Sequence, residues 1–225
     1  YAAWLDGMNP EQDPGFPLIC LIASGGHTDL VLMSGHGQYK ILGRTRDDAA
    51  GEAFDKAARI LGLGFPGGPE IQRITENVQS SEKLPRAWLK GTHDFSFSGV
   101  KTALLHRAQL AGLYPPQIEK QTIVDMAVKE LAVAFQDSVV DVLASKTLDA
   151  AKECKARGVV LGGGVTANTL LRDTIKGRAD IPVLIPSPIL CTDNGAMVGA
   201  SAYFQLARGW KGDFAFDVDP SLSLG

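Results

Sequence analysis

The sequence predicts an α/β domain built on a mixed sheet, and three features of the chain carry that prediction. Two apolar runs flank a Gly-Gly pair near the start, which is typical of a β-hairpin. Farther along, an apolar strand, a glycine-rich turn and a helical pattern follow one another. Residues 118–156 contain neither Gly nor Pro, and their apolar residues recur at helical spacing. A hairpin combined with strand–turn–helix units favours a sheet with both strand directions.

The first part of the chain is predicted to contain three strands and one helix. The run LICLIASGGHTDLVLMSG forms the hairpin at 18–35, and QYKILGRT adds a third strand at 38–45. Residues 47–63 are predicted to be a helix with an acidic first turn, which the helix dipole favours. The segment GFPGGPE at 64–70 is dense in Gly and Pro, so we expect a loop there.

The second part is predicted to alternate helices and strands. Residues 118–156 form one long helix or two in series. GVVLGGG is a buried strand that ends in a glycine turn, and TANTLLRDTIKG is the next helix, with Thr166 or Asn168 as its cap. IPVLIPSP is a further short strand, and the last helix begins near Asn194. The first nine residues resemble the end of a helix, so we expect that sequence upstream of Tyr1 is absent.

Composition argues against a strongly basic nucleic-acid-binding protein, a disulfide-rich protein and a membrane-spanning protein. The chain of 225 residues is 45% hydrophobic and carries a net charge of −3, from 22 basic and 25 acidic residues. No global positive field therefore draws it to nucleic acid, so any RNA contact must come from a local patch or a partner. The three cysteines form no C-x-x-C pair, which fits a reducing cytoplasm. No apolar run is long enough for a membrane span.

Two glycine-rich turns are the main candidate ligand sites. The first glycine turn, residues 24–28, offers backbone N–H groups, with the flanking hydroxyls of Ser24 and Thr28, that suit a phosphate. The second glycine turn, residues 162–164, joins a buried strand to a helix and can aim the helix N-terminus at an anion. Each could also be a plain turn, and neither matches a P-loop or a Rossmann motif. Their occurrence together favours a bound phosphate compound.

Three acidic residues are further candidates. Asp48, Glu52 and Asp55 are spaced by four and three residues, which places them on one face of the predicted helix. Like charges so placed repel, so a compensating group is expected. One of them could recognise a hydroxyl or a ribose, whereas Asp47 and Asp48 are explained by a solvated helix start. Asp55 lies deeper, beside apolar residues.

A basic and aromatic segment is a candidate RNA surface, or else an ordinary stretch of surface. Its members are Lys83, Arg86, Trp88, Lys90, Phe95, Phe97, Lys101 and Arg107.

Asp193 lies just before the last predicted helix and has two interpretations. As an N-cap it would need no partner beyond the helix. As a metal ligand it would need His or carboxylate partners, and the four histidines form no H-x-x-x-H pair. No nucleophile motif such as G-x-S-x-G is present. The residues alone therefore predict an α/β protein that binds a phosphate-bearing ligand.

Five motifs in order resemble one family over nearly the whole chain. They are SGGHT, DDAAGEAFDKAARILGLGFPGGP, FSFSGVKTALL, LGGGVTAN and CTDNGAM. Together they are similar to the TsaD family of tRNA N6-adenosine threonylcarbamoyltransferases, also called Gcp and formerly O-sialoglycoprotein endopeptidases. The peptidase label is not carried over, because no peptidase constellation is visible.

The resemblance implies the actin-like, sugar-kinase and Hsp70 type of ATPase fold, in which two α/β lobes enclose a nucleotide. Residues 1–16 would be the end of a first lobe that is mostly missing. Residues 17–225 would be the second lobe, largely complete, with a helical insertion around 70–155. The substrate-binding residues implied are Ile22, Ala23, Ser24, Gly25, Gly26, Asp55, Gly68 and Asn168.

The resemblance also implies a catalytic metal and a reaction. Asp193 matches the family's metal-ligand aspartate, whose two histidine partners are expected upstream of Tyr1 and are absent here. One divalent ion per subunit, Fe²⁺ or Zn²⁺, would act with threonylcarbamoyl-AMP, or ATP or AMP, as the nucleotide ligand. The group would pass to the adenosine immediately 3′ of the anticodon in tRNA. This fragment is expected to be inactive alone.

The resemblance further implies partners and leaves alternatives open. TsaB and TsaE would be partner proteins, with a homo- or hetero-dimer formed through the lobes, in the cytoplasm and without membrane contact. An alternative is a non-catalytic nucleotide-binding scaffold lobe of the same complex. A sugar or acyl kinase on this fold would need a catalytic base, and no residue is singled out as one.

Overall fold

The computed structural model describes residues 1–6, 13–116 and 126–212. In chain order it contains β1 (Leu18–Ala23), β2 (Thr28–Gly35), β3 (Gln38–Arg44), α1 (Ala50–Ile60), α2 (Gly67–Thr75), α3 (Ser98–Leu110), α4 (Met126–Glu153), β4 (Gly158–Gly162), α5 (Thr169–Arg178), β5 (Val183–Leu184), α6 (Pro188–Cys191) and α7 (Gly195–Ala207). Short 3-10 turns lie at Ala2–Trp4 and Gly164–Ala167.

The five strands form one sheet in the order β3-β2-β1-β4-β5. β1 pairs antiparallel with β2, and β2 pairs antiparallel with β3. On its other side β1 pairs parallel with β4, which pairs parallel with β5. The predicted mixed sheet and its leading hairpin are therefore confirmed.

The sheet is buried on both faces at its centre. One face packs against the helices through Ile19, Leu21 and Leu161, which belong to a core that also includes Phe54 and Phe135. The other face carries a smaller cluster beneath the N-terminal segment; its buried members are Ala3, Leu18, Cys20, Val31, Met33, Val160 and Leu184. The continuous apolar run of β1 follows from this, because successive side chains point to opposite faces.

The segment GFPGGPE, which we expected to be a loop, contains the start of α2. The helix begins at Gly67 and includes Pro69 in its first turn. A proline is tolerated there because the first N–H groups of a helix have no partner within the helix. A side-chain cap from α1, described below, satisfies the Gly67 N–H. The loop prediction was wrong because it rested on the number of Gly and Pro residues, and both residue types are tolerated in the first turn of a helix.

The long helix and the Asn168 cap are as expected, whereas the cap of the last helix is Asn194, not the Asp193 that we considered. α4 is a single helix over the described part of the Gly- and Pro-free stretch, and residues 117–125 lie outside the described residues. Asn168 caps α5, and Asn194 caps α7. The helices α3 and α6 were not predicted. α3 buries only a narrow stripe at Val100, Leu104 and Ala108, which leaves little helical periodicity to detect.

Asp47 and Asp48 do not form the solvated helix start that we expected, because α1 begins after them. Asp47 accepts hydrogen bonds from the backbone N–H groups of Phe97 (2.8 Å) and Ser98 (3.3 Å), at the start of α3. Asp48 forms ion pairs with Lys56 and Lys101. Lys56 also pairs with Glu52. The compensating charge expected for the acidic face is thus supplied by two lysines.

The pH dependence of stability should report the Asp47 contact. Burial by itself would raise the pKa of Asp47, but hydrogen bonds from Ser96, Phe97 and Ser98 outweigh burial and hold it below its usual value. A carboxyl with a depressed folded-state pKa stabilises the fold above its unfolded pKa of about 3.9, and that contribution is lost as the pH falls through the folded value. We expect the urea midpoint of the Asp47→Asn variant to fall less than that of the parent between neutral pH and about pH 3.

The matched control for this measurement is Asp173→Asn, at an exposed position on α5. This variant should keep the parent's full pH dependence. Identical curves for Asp47→Asn and the parent would show that the carboxylate does not stabilise the start of α3.

Among the described residues, no helix has the length and apolar character needed to cross a membrane.

Candidate functional site

The two glycine turns lie side by side at one edge of the sheet. β1 and β4 are parallel neighbours, with Ile22 opposite Gly162, so both strands lead into their turns at the same edge. Gly163 has a φ of +92°, and a Cβ there would come within 2.4 Å of the carbonyl oxygen of Ala23. Only glycine allows this backbone conformation together with such close packing of the two strand ends. We call this edge the glycine edge.

The first glycine turn is closed by its own residues and open toward solvent. The Ser24 N–H donates to the His27 carbonyl (2.8 Å), and the Ser24 Oγ accepts from the N–H groups of Gly26 (3.3 Å) and His27 (3.1 Å). A Cβ at Gly25 or Gly26 would meet no atom within 4 Å. The backbone is therefore accessible to a ligand, and a hydroxyl already holds two of the N–H groups that a phosphate would use.

The N-terminus of α1 is held against the first glycine turn. The Gly51 N–H donates to the Ser24 carbonyl (3.0 Å), and a Cβ at Gly51 would lie 2.7 Å from that oxygen. Thr28 Oγ1 accepts from the Ala50 N–H (2.8 Å) and so caps the helix. The Thr28 hydroxyl, which we expected to flank the ligand, is buried and serves the fold. The positive end of the α1 dipole thus faces the glycine edge.

Asp55 joins α1 to the start of α2. Its Oδ1 accepts from the Gly67 N–H (2.7 Å), which gives the carboxylate a structural partner. Its Oδ2 accepts no hydrogen bond from the described residues. Gly68 follows in the first turn of α2, with open space where a Cβ would be. Asp55 therefore has one oxygen left for a ligand, and the roles of Asp55 and Gly68 in binding stay predictions.

A buried polar chain runs beneath the site. Asn168 Oδ1 accepts from the Leu171 N–H (3.0 Å), and its Nδ2 donates to Gln136 Oε1 (2.9 Å). Gln136 Nε2 in turn donates to Thr75 Oγ1 (3.1 Å). The Asn168 side chain thus caps α5 with its oxygen and binds Gln136 of α4 with its nitrogen. Sequence analysis missed Gln136, although a glutamine amid the apolar residues of α4 was a detectable signal.

Ile22 and Ala23 can contribute to a ligand site mainly through their backbone. The Ala23 side chain is fully buried in the helix-side core. Ile22 is half-buried and packs toward the opposite face of the sheet. Their predicted contact with substrate stays a prediction.

Asp193 is exposed and does not cap α7. The cap is Asn194, whose side-chain oxygen accepts from the Met197 N–H (3.0 Å). Asp193 makes no hydrogen bond or ion pair with the described residues, so the N-cap interpretation was wrong. Within residues 1–6, 13–116 and 126–212, no group of three His, Cys, Asp or Glu side chains could hold a metal ion.

Two of the three aromatic residues in the basic and aromatic segment are not available to an RNA ligand. Phe95 and Phe97 are buried in the core, at 0% and 1% exposure, where they cannot stack on bases. Three of the cations are paired with acids; these pairs are Arg86–Asp141, Lys101–Asp48 and Arg107–Glu82. Their burial depends on a long-range contact, the parallel bridge between Thr45 and Phe95, which the sequence does not reveal.

The remaining members, Lys83, Trp88 and Lys90, are exposed. Trp88 and Lys90 line a cavity of about 370 Å³ beside the C-terminal part of α4. Lys146 reaches this cavity with 5% of its surface exposed and donates to the Thr92 carbonyl (2.7 Å). Burial lowers the pKa of Lys146. α4 leads from here into the beginning of β4, so the cavity lies away from the glycine edge.

Comparison with known proteins identifies the family of the chain. The family model for TsaD, tRNA N6-adenosine threonylcarbamoyltransferase, matches residues 2–200. The chain belongs to the TsaD family. The resemblance predicted from the five motifs is therefore confirmed.

Individual TsaD relatives match along the whole chain. A protein of Dehalococcoides mccartyi named tRNA N6-adenosine threonylcarbamoyltransferase is 50% identical over 224 residues, which cover 100% of this chain and 64% of that protein. The equivalent Thermomicrobium roseum protein is 50% identical over 238 residues, covering 100% of this chain and 65% of its own length. The chain thus spans about two thirds of the length of these relatives.

One solved structure supports the fold. A crystal structure of T. kodakarensis HypF superposes with a TM-score of 0.52 at 18% identity, over 72% of this chain and 20% of HypF. Identity at this level speaks only to architecture. Together with TsaD membership and the mixed five-stranded sheet, it confirms the predicted actin-like ATPase type of fold, represented by part of a lobe.

Proposed function

We propose that this chain forms the nucleotide-binding lobe of an enzyme that modifies tRNA. The reaction is transfer of the threonylcarbamoyl group from threonylcarbamoyl-AMP to N6 of the adenosine immediately 3′ of the anticodon. The observation that carries the proposal is the glycine edge, where the open first glycine turn, the second glycine turn and the N-terminus of α1 converge. The chain that builds this edge is 50% identical to proteins named for that reaction.

The phosphate of the nucleotide lies against the first glycine turn in this proposal. The Gly25 N–H has no acceptor among the described residues, and the N–H groups of Gly26 and His27 can exchange the Ser24 hydroxyl for a phosphate oxygen. Asp55 orients a hydroxyl of the substrate through its second oxygen. Gly68 and Asn168, together with the backbone of Ile22 and Ala23, complete the binding surface. The second glycine turn supplies the neighbouring wall.

Asp193 supplies one ligand of a divalent metal ion. A carboxylate oxygen suits such an ion, and the Asp193 side chain is exposed and not engaged with described residues. A single ligand does not make a catalytic site, since three protein ligands are usual. The others would come from the part of the full-length protein that this chain does not cover, as two histidines, with Fe²⁺ or Zn²⁺ as the ion. The ion would supply Lewis acidity toward the carbamoyl carbonyl.

The chain's own residues orient the substrate and stabilise the leaving group. The N6 amine forms a bond to the carbamoyl carbon, the bond between that carbon and the phosphate oxygen breaks, and AMP leaves. The amine loses a proton to a base that the chain does not single out. The N–H groups of the first glycine turn stabilise the negative charge that grows on the departing phosphate. No covalent enzyme intermediate is part of the proposal.

Partner proteins complete the activity. With a net charge of −3, and with three cations of the basic segment paired, the chain has little to hold tRNA by itself. The partners that the family resemblance implies, TsaB and TsaE, would assist, with a homo- or hetero-dimer formed through the lobes, in the cytoplasm. Residues 1–16 would belong to a first lobe and residues 17–225 to the second.

Filling the space above the first glycine turn tests this proposal. Gly26→Val should leave the free energy of unfolding within about 0.5 kcal/mol of the parent, because a Cβ there meets no atom and the φ of Gly26 is not left-handed. In the full-length protein it should weaken AMP binding at least about tenfold, measured by calorimetry, because the new side chain occupies the phosphate position.

The control is Gly177→Val on α5, where a Cβ also meets no atom within 4 Å. It should leave AMP binding unchanged. Unaltered AMP affinity in Gly26→Val would refute the placement of the nucleotide. If the full-length parent binds AMP at the first glycine turn yet transfers no threonylcarbamoyl group to tRNA with its partners present, the scaffold alternative replaces the enzyme.

A further inference from the structure

The side chain of Arg172 connects the second glycine turn to the segment that precedes Asp193. Its Nε donates to the carbonyl oxygen of Thr166 (2.7 Å), in the 3-10 turn that follows the second glycine turn. Its Nη2 donates to the Pro186 carbonyl oxygen (2.7 Å) and to the Cys191 Sγ (3.0 Å). One guanidinium thus joins two segments that are about twenty residues apart in the chain.

α5 gives Arg172 a rigid base. Leu171 and Ile175 of this helix are fully buried, and Asn168 caps its start while bonding to Gln136 of α4. The helix is therefore anchored to the core on one side and presents Arg172 to the two segments on the other. A rigid element holds a site more accurately than a loop does.

The contacts of Arg172 are unusual for an arginine of this protein. It is half-buried, and none of the ion pairs among the described residues includes it. Its partners are backbone carbonyl groups and a thiol, so salt-bridge formation does not account for its position. The planar fork of a guanidinium donates from separate nitrogens at fixed positions, so Nε and Nη2 of Arg172 reach acceptors in two segments, whereas a lysine donates from one nitrogen only.

Buried groups on either side extend this connection. Thr166 Oγ1 donates to the Gly163 carbonyl (2.7 Å) and lies 3.6 Å from the Cys191 Sγ. Both Thr166 and Cys191 are buried, at 0% and 2% exposure. An unbroken set of contacts therefore runs from Gly163 through Thr166 and Arg172 to Cys191, two residues before Asp193.

We propose that Arg172 is a positioning residue that fixes segment 186–194 against the second glycine turn and so sets the position of the Asp193 carboxylate. The effect on the metal rests on the function proposed above, whereas the effect on the segment does not. Asp6 holds the same segment from another direction, since its carboxylate accepts from the Ser187 Oγ (2.9 Å). Loss of Arg172 should therefore loosen the segment without detaching it.

Hydrogen exchange of the chain as it stands tests the positioning role. In Arg172→Met, amides of segment 186–194, among them the Leu190 N–H that donates to the Ser187 carbonyl, should exchange about tenfold faster or more. Peptides from β4 and from α5 should keep their parent rates. Arg172→Lys should show protection between that of the parent and that of Arg172→Met, because a lysine donates from one nitrogen and does not reproduce all three contacts of the guanidinium.

Arg178→Met is the matched control, since Arg178 ends the same helix and pairs with Asp141 instead. It should leave exchange in segment 186–194 unchanged. Parent-like exchange of that segment in Arg172→Met would overturn the proposal, and so would an equal acceleration across β4 and α5.

Zinc affinity of the full-length protein tests the consequence for Asp193. Zn²⁺ alone is the probe, in competition with a chelating dye. The Arg172→Met variant should bind Zn²⁺ about tenfold more weakly than the parent, because loss of a residue that orients a metal ligand commonly weakens metal binding by about that factor. Unchanged zinc affinity together with faster exchange would overturn the link to Asp193. Failure of the proposed function itself would appear separately, as transfer that survives removal of the Asp193 carboxylate.

Discussion

Asp193→Ala should reduce threonylcarbamoyl transfer by the full-length protein roughly a thousandfold or more while leaving the fold intact. A metal ligand stabilises transition-state charge by several kcal/mol, and each 1.4 kcal/mol corresponds to about tenfold in rate. The fold should not suffer, because Asp193 is exposed and makes no hydrogen bond with the described residues. The measurement is single-turnover transfer from threonylcarbamoyl-AMP to tRNA, with the melting temperature and the bound metal determined on the same samples.

The neighbouring residue provides the control. Asn194→Ala removes the cap of α7 and should cost about 1 kcal/mol of stability, with a far smaller loss of transfer. The two variants should therefore show opposite profiles, one losing turnover and the other losing stability. Parent-like turnover in Asp193→Ala would remove the metal role from this residue.

Phe135→Ala should lower the free energy of unfolding by about 3–5 kcal/mol. Phe135 is fully buried on α4, and its ring meets the ring of Phe54 on α1 edge-on, with centroids 5.5 Å apart. The substitution leaves a cavity between two helices and the sheet that a close-packed interior cannot readily close. Such a loss is a large part of the roughly 5–15 kcal/mol that stabilises a typical domain. Urea unfolding followed by circular dichroism measures it.

Phe65→Ala is the matched control for this change. The Phe65 ring is 82% exposed, so its removal should shift stability by no more than about 0.5 kcal/mol. Equal unfolding midpoints for Phe135→Ala and Phe65→Ala would show that the contact between α1 and α4 is not a main source of stability.

Several parts of the fold could be predicted from short-range patterns. The hairpin turn at Gly25 and Gly26, the glycine turn after β4 and the cap at Asn168 all depend on residues a few positions apart. Conformational preferences and the alternation of apolar side chains act over that range. The order of residues along the chain is therefore enough to predict these elements, as it is to recognise the family from five short motifs.

Other assignments failed where the partner is distant in sequence. Asp47 was assigned to a helix that begins after it, because its partners at the start of α3 lie about fifty residues away. Phe95 and Phe97 were considered as surface residues, with or without an RNA ligand, because only the tertiary structure shows that they are buried. The start of α2 was missed because the carboxylate that caps it belongs to α1.

The sequence by itself determined the class of the domain, the two glycine turns and the membership of the TsaD family, because glycine spacing and apolar periodicity are local properties. Only the tertiary structure decided that the two turns share one edge and that Asn194, not Asp193, caps α7. It also decided that Arg172 joins the second glycine turn to the segment that precedes Asp193. The parallel pairing of β1 with β4 is the physical reason, since it brings together strand ends that are about 140 residues apart in the chain.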